Sequence, residues 1–172
     1  MAGNFLEQLV AEWYEYRGYF VRRNVRVGKL PAGGFEGELD VVAFHPDTKQ
    51  LVHIESSMDA HSWDKREQRF TKKFKAGKKY IRSLFSGIGT SDEIEQIALF
   101  GGMSKAGRSG IGGGKVVFAS DLIIEILTEL KNTSMTSQAI PENFTILRAL
   151  QHISMPLTRK KIILMWNCDG PQ

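Results

Sequence analysis

The stretch GELDVVAFHPDTKQLVHIESS, residues 37–57, decides the fold because it contains two apolar runs separated by a turn. ELDVVAF and LVHIESS have the β-branched and aromatic content of strands, and HPDTKQ between them has the composition of a turn. Each run also carries an acid, Asp40 in the first and Glu55 in the second. A hairpin over these residues would place the two acids on neighbouring strands.

The residues on either side of this hairpin extend it into a larger sheet with helices. Helices are predicted over residues 4–18 and 62–85, and a strand over residues 19–27. Short strands are expected at EQIALFGG and GKVVFAS, followed by helices at SDLIIEILTELKN and PENFTILRALQHISM, the last with Pro141 in its first turn. The order α-β-β-β-α-β-β-α, with one further helix, predicts an α/β (α+β) fold with a central mixed β-sheet flanked by helices.

Length and composition indicate a single packed domain with at most a small appendage. The chain has 172 residues, of which 42% are hydrophobic and 24% charged, as in globular proteins. We place the core in residues 1–132. Residues 133–172 are expected to form a C-terminal helical extension that packs on the core and serves recognition or dimerisation, or that completes the core.

Cysteine content and hydropathy favour an intracellular protein. The one cysteine, Cys168, excludes an intrachain disulfide and a CxxC metal site. The first 20 residues lack the basic and apolar regions of a secretory signal, and no apolar run approaches the ~20 residues that cross a bilayer. We therefore expect a cytoplasmic protein with no membrane contact.

Asp40 and Glu55 are acids within runs that otherwise suit a protein core. By strand alternation, Asp40 shares a face with Val42, and Glu55 shares a face with His53 and Ser57. Two neighbouring carboxylates repel each other, and their burial is costly without compensation. Mg²⁺ would compensate them, because it takes hard oxygen ligands and commonly one or two carboxylates. The alternative is that both acids are ordinary strand-end charges facing solvent.

The pattern GELDVVAF…LVHIES resembles the core motif of the PD-(D/E)xK nucleases, the restriction-endonuclease-like superfamily. In that family an Asp lies on one strand and a (D/E)-x-K triplet on the next. Asp40 matches the Asp, and residues 55–57 match the triplet, with Ser57 in the lysine position. Glu7 matches an acidic residue in the first helix of archaeal Holliday-junction resolvase-like members. The resemblance covers residues 4–130 and implies a restriction-endonuclease-like core.

This resemblance implies a metal-dependent endodeoxyribonuclease that hydrolyses phosphodiester bonds. Asp40 and Glu55, assisted by Glu7, would bind Mg²⁺, for which Mn²⁺ would substitute. The metal would lower the pKa of an attacking water and neutralise developing charge. Glu7 also lies three residues after Asn4, as in a helix capping box, and both roles stay open for it. One active site per chain favours a homodimer for cutting both strands of a duplex.

Ser57 departs from the family pattern, and two explanations compete. In the first, the lysine function has moved to the following helix, which offers Lys65, Lys72, Lys73 and Lys75. Lys73 is the preferred candidate, because it borders the apolar face and its long side chain would bury its stem while presenting its amine at the strands. In the second, the site is degenerate and the domain binds DNA without cutting it.

The long helix is strongly basic. Residues 65–82 carry nine of the chain's 23 lysines and arginines and one acid, Glu67, although the formal net charge of the whole chain is only +4. Such concentrated positive charge suits a phosphate backbone. A solvated helix face, or a surface for an acidic protein partner, is the alternative. The residues expected to bind DNA are Lys65, Arg66, Arg69, Lys72, Lys73, Lys105 and Arg108.

Two further features have weaker implications. The glycine-rich loop FGGMSKAGRSGIGGGK does not fit a P-loop, because Ser109 and Val116 occupy positions that require Gly and Ser or Thr. We expect either a mobile loop that follows DNA through Lys105 and Arg108, or a plain connector. His53 shares the face of Glu55 and would either line the site or be an ordinary strand histidine.

Overall fold

The computed structural model describes residues 4–102, 107–156, 158, 160, 162 and 163 of the chain. Its contacts form two compact units, Met1–Ser120 and Asp121–Gln172, whereas the sequence placed a boundary after residue 132. Among the described residues, no helix combines the length and apolar character required to cross a membrane. Lys105, Trp166 and Cys168 lie outside the described residues.

The first unit contains a six-stranded mixed sheet with the strand order β1-β2-β3-β4-β6-β5. Strands β1 to β3 form an antiparallel meander, β3 and β4 pair in parallel across the connecting helix α2, and β6 pairs parallel to β4. The α/β fold with a mixed sheet flanked by helices is thereby confirmed. Its elements are α1 (Phe5–Tyr16), β1 (Phe20–Lys29), β2 (Phe35–Phe44), β3 (Leu51–Ser57), α2 (Trp63–Leu84), β4 (Ile94–Phe100), β5 (Gly110–Ile111) and β6 (Gly114–Phe118).

Three strands follow α2, whereas the sequence predicted two. The additional strand, β5, pairs antiparallel with β6 at the end of the glycine-rich loop. Gly112 and Gly113 connect the two strands with φ angles of 58° and 85°. Positive φ at both central residues is the geometry of a two-residue hairpin turn, which glycine adopts without strain. The final part of the expected connector is therefore a short hairpin.

Helix α2 packs across one face of the sheet because its apolar residues recur at helical spacing. Phe70 and Phe74, near its first half, lie in a buried cluster with residues of β4, β5 and β6. Ala76 and Ile81, in its second half, lie in a second buried cluster with residues of β1, β2 and β3. Lys73 lies between these two sets along the helix, opposite the middle of the sheet.

Helix α1 packs against β1, β2 and β3, and it buries Leu6, Leu9, Val10 and Trp13. Its N-terminus is capped by Asn4, whose side-chain oxygen accepts a hydrogen bond from the backbone N–H of Leu6 at 3.0 Å. The cap holds the first turn of α1 beside β3, since the Asn4 amide also lies 3.4 Å from the hydroxyl of Ser56.

The second unit contains helix α4 (Thr145–Ser154) and most of helix α3 (Ala119–Leu130). Helix α4 begins four residues after Pro141, so the expectation that this proline lies in its first turn is wrong. Residues 141–144 form a turn in which the N–H of Phe144 donates to the carbonyl of Pro141 at 3.0 Å. The segment before this turn is held by the buried side chain of Gln151. Its amide oxygen accepts from the backbone N–H of Ile140 at 3.1 Å, and its amide nitrogen donates to the carbonyl of Gln138 at 3.1 Å.

Candidate active site

Asp40 and Glu55 lie where strands β2 and β3 separate. The pairing of the two strands ends at Val41↔Ile54, one residue before both acids. Beyond this point, carboxylate side chains instead of backbone carbonyls accept the hydrogen bonds between the two strands. The N–H of Asp40 is 3.4 Å from Glu55 Oε1, and the N–H of Ser56 donates to Asp40 Oδ2 at 2.9 Å. The splayed strands leave both carboxylates in the gap between them.

The regular alternation of side chains is interrupted at Asp40. Leu39 and Val42 belong to the same buried cluster beneath α2, although they are three residues apart. On β1, the residue facing this position is Asn24, which has a φ of 51° in the left-handed region. Asp40 itself contacts Lys73 on α2, the helix above Val42. Asp40 and Val42 therefore lie on the same side of the sheet as expected, and the interruption lies between Leu39 and Asp40.

Lys73 connects the two acids. Its Nζ lies 2.7 Å from Asp40 Oδ1 and also contacts Glu55 Oε2. The Glu55 side chain is fully buried, whereas those of Asp40 and Lys73 are 13% and 30% exposed. The three charged groups therefore form a cluster that opens to solvent on the side of Asp40 and Lys73.

Ser56 links this cluster to helix α1. Its hydroxyl lies 3.3 Å from Asp40 Oδ2 and 3.4 Å from Glu7 Oε1. Glu7 also forms a hydrogen bond with the backbone of Asn4, as expected for a helix cap. Its side chain therefore contacts both the helix cap and the site. Because β3 alternates, Ser56 faces α1 while Glu55 and Ser57 face α2.

Burial and mutual charge shift the ionisation of these groups. Burial raises the pKa of Glu55, although the hydrogen bond with His53 acts in the opposite direction. Burial also raises the pKa of Glu7, and the charge of Asp40 adds to this effect. For Lys73, burial acts to lower the pKa, but the charges of Glu55 and Asp40 outweigh it and raise the pKa. Lys73 is thereby held as an ammonium ion.

His53 lies behind Glu55 and is fully buried. Its Nε2 is 2.8 Å from Glu55 Oε1, and its Nδ1 is 3.2 Å from Nε2 of Gln96 on β4. The ring packs edge-on against Phe74 with centroids 5.4 Å apart. His53 thus contacts a site carboxylate from the interior of the protein and has no access to solvent.

Ser57, in the position of the family lysine, belongs to a second charged cluster. Its hydroxyl donates to Asp59 Oδ2 at 2.6 Å and lies 2.8 Å from Arg69 Nη2. Asp59 also pairs with Arg69 and Arg66. Burial acts to raise the pKa of Asp59, but the bonds from Ser57 and Arg69 hold that pKa well below its ordinary value. Arg66 and Arg69, expected to bind DNA, are thus joined to an internal carboxylate.

Of the other residues expected to bind DNA, Lys65, Lys72 and Arg108 are exposed, and Lys105 lies outside the described residues. Lys65 and Lys72 project from α2, and within the described part of the chain no carboxylate lies within ion-pair distance of either. Arg108 lies 5.2 Å above the ring of Trp63, at the start of α2. On the edge strand β1, Arg22 and Arg23 are exposed beside the strand that carries Asp40. These arginines had not been expected to belong to a DNA surface.

The oxygen donors fit a hard divalent cation. Mg²⁺ commonly takes only one or two protein carboxylates and fills its other positions with water and substrate oxygen. Asp40 and Glu55 supply two carboxylates on either side of the gap, and they already share one cation, the Lys73 ammonium. No three His, Cys, Asp or Glu side chains of the described residues come together as a metal cluster. The carboxylate pair is thus the candidate ligand set.

Three residues that form hydrogen bonds in or around the site could not be identified from the sequence pattern alone. Ser56 is the variable middle residue of the triplet, Asp59 follows the end of β3, and Gln96 is an amide within an apolar strand. Gln96 carries the clearest signal, because an amide inside a buried strand requires hydrogen-bond partners. Its partners depend on the packing of α2, which the sequence does not specify.

No protein-family model matches the sequence, and comparison with curated proteins finds no significant match.

Proposed function

We propose that this chain is a metal-dependent DNA endonuclease with a restriction-endonuclease-like core and a variant PD-(D/E)xK site. The observation that carries the proposal is the position of the Lys73 ammonium, in contact with both Asp40 and Glu55. An Asp, a Glu and a Lys converge at a gap between two strands, and the lysine comes from α2 instead of from β3. Ser57 holds the strand position, so the lysine function would have moved from position 57 to position 73.

The order of the elements supports this assignment of the core. The first elements are a helix, an antiparallel meander of three strands, a crossing helix and a parallel strand, an order compatible with the proposed core. Both acids lie on the second and third strands of this meander, and α2 crosses directly over them. Fold alone does not define activity, and it is the set of side chains at the gap that favours a nuclease.

The residues suit phosphodiester hydrolysis in separate roles. Asp40 and Glu55 would hold Mg²⁺, which supplies a water of lowered pKa and a charge that offsets the developing negative charge. Lys73, as an ammonium ion, would donate hydrogen bonds to that water or to a phosphate oxygen, and it would not accept the proton. Glu7, through Ser56, would hold Asp40 in position from the side of α1.

DNA is the proposed substrate because the two elements next to the site, α2 and β1, carry exposed positive charge. Four exposed cations have no ion-pair partner among the carboxylates of the described residues. They are Lys65 and Lys72 on α2 and Arg22 and Arg23 on β1. A DNA backbone bound at these two elements would contact positive charge, and its affinity would depend steeply on salt. Cytoplasmic location and a homodimer that cuts both strands are further parts of this proposal.

A second candidate function is DNA binding without cleavage. The observation that favours it is the engagement of Ser57 by Arg69 and Asp59, so that a partly exposed hydrogen-bonded cluster occupies the place of the family lysine. On this reading Lys73 would serve only as the counter-charge of two buried acids. The two candidates agree on binding and differ on catalysis.

Plasmid cleavage separates the two functions. Supercoiled plasmid is incubated with the protein and Mg²⁺, Mn²⁺ or EDTA, beside Asp40→Ala and Glu55→Ala as controls. The proposal predicts nicking with either metal, none with EDTA, and none in the controls. If plasmid, branched DNA and single-stranded DNA all remain intact while DNA binding is measurable, the non-catalytic function is correct.

A further inference from the structure

We propose that a fixed chain of hydrogen bonds, running from the Phe74 carbonyl through Gln96 and His53, selects which oxygen of Glu55 faces the active site. His53 and Gln96 are positioning residues that act through Glu55. The inference rests on the proposed function in so far as Glu55 is a metal ligand. The direction of the hydrogen bonds follows from the geometry alone.

The chain begins at a backbone carbonyl whose role is fixed. Gln96 Nε2 donates to the carbonyl oxygen of Phe74 at 2.8 Å. A carbonyl can only accept, so the amide nitrogen must lie on this side, because the reverse orientation would set two acceptors against each other. Gln96 Oε1 consequently points away, and it has no partner among the described residues. The Phe74 carbonyl therefore sets the orientation of the amide.

The orientation of the amide determines the tautomer of His53. The same Gln96 nitrogen lies 3.2 Å from His53 Nδ1. A donor faces Nδ1, so Nδ1 must accept, and the proton of the neutral ring is carried by Nε2. Nε2 lies 2.8 Å from Glu55 Oε1 and donates to it.

The consequence appears at Glu55, where the two carboxylate oxygens become inequivalent. Oε1 receives the N–H of His53 and faces the backbone N–H of Asp40 at 3.4 Å. Oε2 contacts only the Lys73 ammonium among these groups. Oε1 is thereby anchored towards the interior, and Oε2 is the oxygen presented to a cation at the gap.

The packing around His53 is arranged for this contact. Gly77 lies on α2 directly above the ring, and a Cβ at this position would overlap His53 Nδ1. The Phe74 ring covers the imidazole edge-on. Gly77 leaves room for the imidazole beneath α2. Partners that orient a metal-binding carboxylate in this way typically affect metal affinity 10- to about 100-fold.

The tautomer can be measured in the wild-type protein without metal, with one variant used only to assign the signal. Histidine ¹⁵N NMR of the metal-free protein distinguishes a protonated from an unprotonated ring nitrogen, and the His53→Gln variant identifies the signal among the four histidines. We expect an unprotonated Nδ1 and a protonated Nε2. A proton on Nδ1 would overturn the proposed direction of the chain.

Mn²⁺ titration then tests the positioning role, with calorimetry as the readout. His53→Phe keeps a ring but removes the donor, whereas His53→Gln places an amide nitrogen near the former Nε2. We expect Mn²⁺ affinity to fall roughly 10- to 100-fold in His53→Phe and to return to within a few-fold of wild type in His53→Gln. His152→Phe, on the exposed side of α4, is the matched control. Circular dichroism melting establishes that each variant is folded.

The possible failures are distinguishable. Wild-type affinity in folded His53→Phe would overturn the positioning role and leave the nuclease proposal intact. Absence of Mn²⁺ binding in the wild-type protein would overturn the proposed metal site and, with it, the role of His53 towards a metal. The NMR result decides the hydrogen-bond chain in either case, because it does not depend on metal or on DNA.

Discussion

The Lys73 ammonium lies 2.7 Å from Asp40 Oδ1 and also contacts Glu55, so one cation from α2 joins carboxylates from two strands. Each contact is short, and all three side chains are at least two-thirds removed from solvent. Two carboxylates so placed repel each other, and a neighbouring positive charge offsets this repulsion. Lys73 supplies this charge in the metal-free protein, and Mg²⁺ would share that role when bound.

Removing this lysine should therefore make the fold depend on metal. Lys73→Met leaves Asp40 and Glu55 without a counter-charge and should lower the free energy of unfolding by ~1–3 kcal/mol. Added Mg²⁺ should raise the melting temperature of Lys73→Met more than that of the wild-type protein, as differential scanning fluorimetry would report. Lys79→Met is the control, because Lys79 pairs with Glu36 in an exposed ion pair that does not include Asp40 or Glu55. Equal Mg²⁺ shifts in all three proteins would contradict the metal site.

The cluster of Asp59 with Ser57 and Arg69 predicts a dependence of stability on pH. Because the pKa of Asp59 is lowered in the folded protein from an ordinary value of 3.8, its contribution is full at neutral pH and declines as the pH falls below 3.8. Asp59→Asn should lose ~1–3 kcal/mol of unfolding free energy at pH 7, since bonds to a charged group are replaced.

Urea unfolding of the wild-type and Asp59→Asn proteins between pH 7 and pH 3 measures this difference. The difference in unfolding free energy between the two proteins should become smaller at the acidic end of the range, because there the unfolded wild-type chain takes up a proton on Asp59. Asp47→Asn, at an exposed turn, serves as the control. A difference that stays constant over the whole range would show that Asp59 contributes through packing and not through its charge.

Gly77 should be intolerant of alanine although it lies within a helix. An exposed helical Gly→Ala change normally stabilises by about 0.5–1 kcal/mol, but here the methyl group would overlap His53. We expect Gly77→Ala to destabilise the protein by ~1–3 kcal/mol, as overpacking does. In a His53→Ala background the cost should shrink, which a double-mutant cycle of urea unfolding would measure. Additive effects would mean that the two positions are not in contact.

Binding to DNA should follow the exposed cations and not those already paired. In EDTA, fluorescence anisotropy gives the dependence of DNA affinity on salt. Lys72→Ala should weaken binding and reduce the salt slope by ~0.9 for each phosphate contact that is lost. Lys79→Ala, already paired with Glu36, should change the slope less. An identical slope for wild type and Lys72→Ala would remove α2 from the DNA surface.

The contribution of the exposed arginines of β1 to DNA binding is tested in the same assay. Arg22→Ala and Arg23→Ala remove exposed charges beside the strand of Asp40, whereas Arg26→Ala removes one that pairs with Glu38 at 3.5 Å. We expect the first two changes to reduce affinity and salt slope more than the third does. If Arg26→Ala has the largest effect, DNA does not lie along the part of β1 near Asp40.

Local patterns predicted most of the first unit. The alternating and apolar runs that predict β3 over LVHIESS and the long helix after it agree with Leu51–Ser57 and Trp63–Leu84. The sequences of these elements have a strong apolar periodicity and are flanked by turn residues. The pattern therefore favours one type of secondary structure over the other. The hairpin β5–β6 was missed because a two-residue strand has no periodicity and its Gly112-Gly113 turn resembles a flexible connector.

The site was only partly accessible from the sequence. Asp40 and Glu55 follow from strand pairing, and the candidacy of Lys73 followed from its place beside the apolar face of α2. The Asp59 cluster and Gln96 depend on how α2 lies across the sheet, which is a property of packing and not of local pattern. The interruption between Leu39 and Asp40 was equally hidden, because strand alternation assumes a regular strand.

Lys73 is proposed to complete a catalytic site with Asp40 and Glu55. The most direct test compares cleavage and binding of the same DNA by the wild-type and Lys73→Ala proteins in Mg²⁺, with Lys79→Ala as control. We predict that Lys73→Ala loses cleavage by ~10²-fold or more while its DNA affinity, measured without cleavage in EDTA, stays close to wild type. Full cleavage by Lys73→Ala would contradict this proposal, as would the absence of cleavage by the wild-type protein.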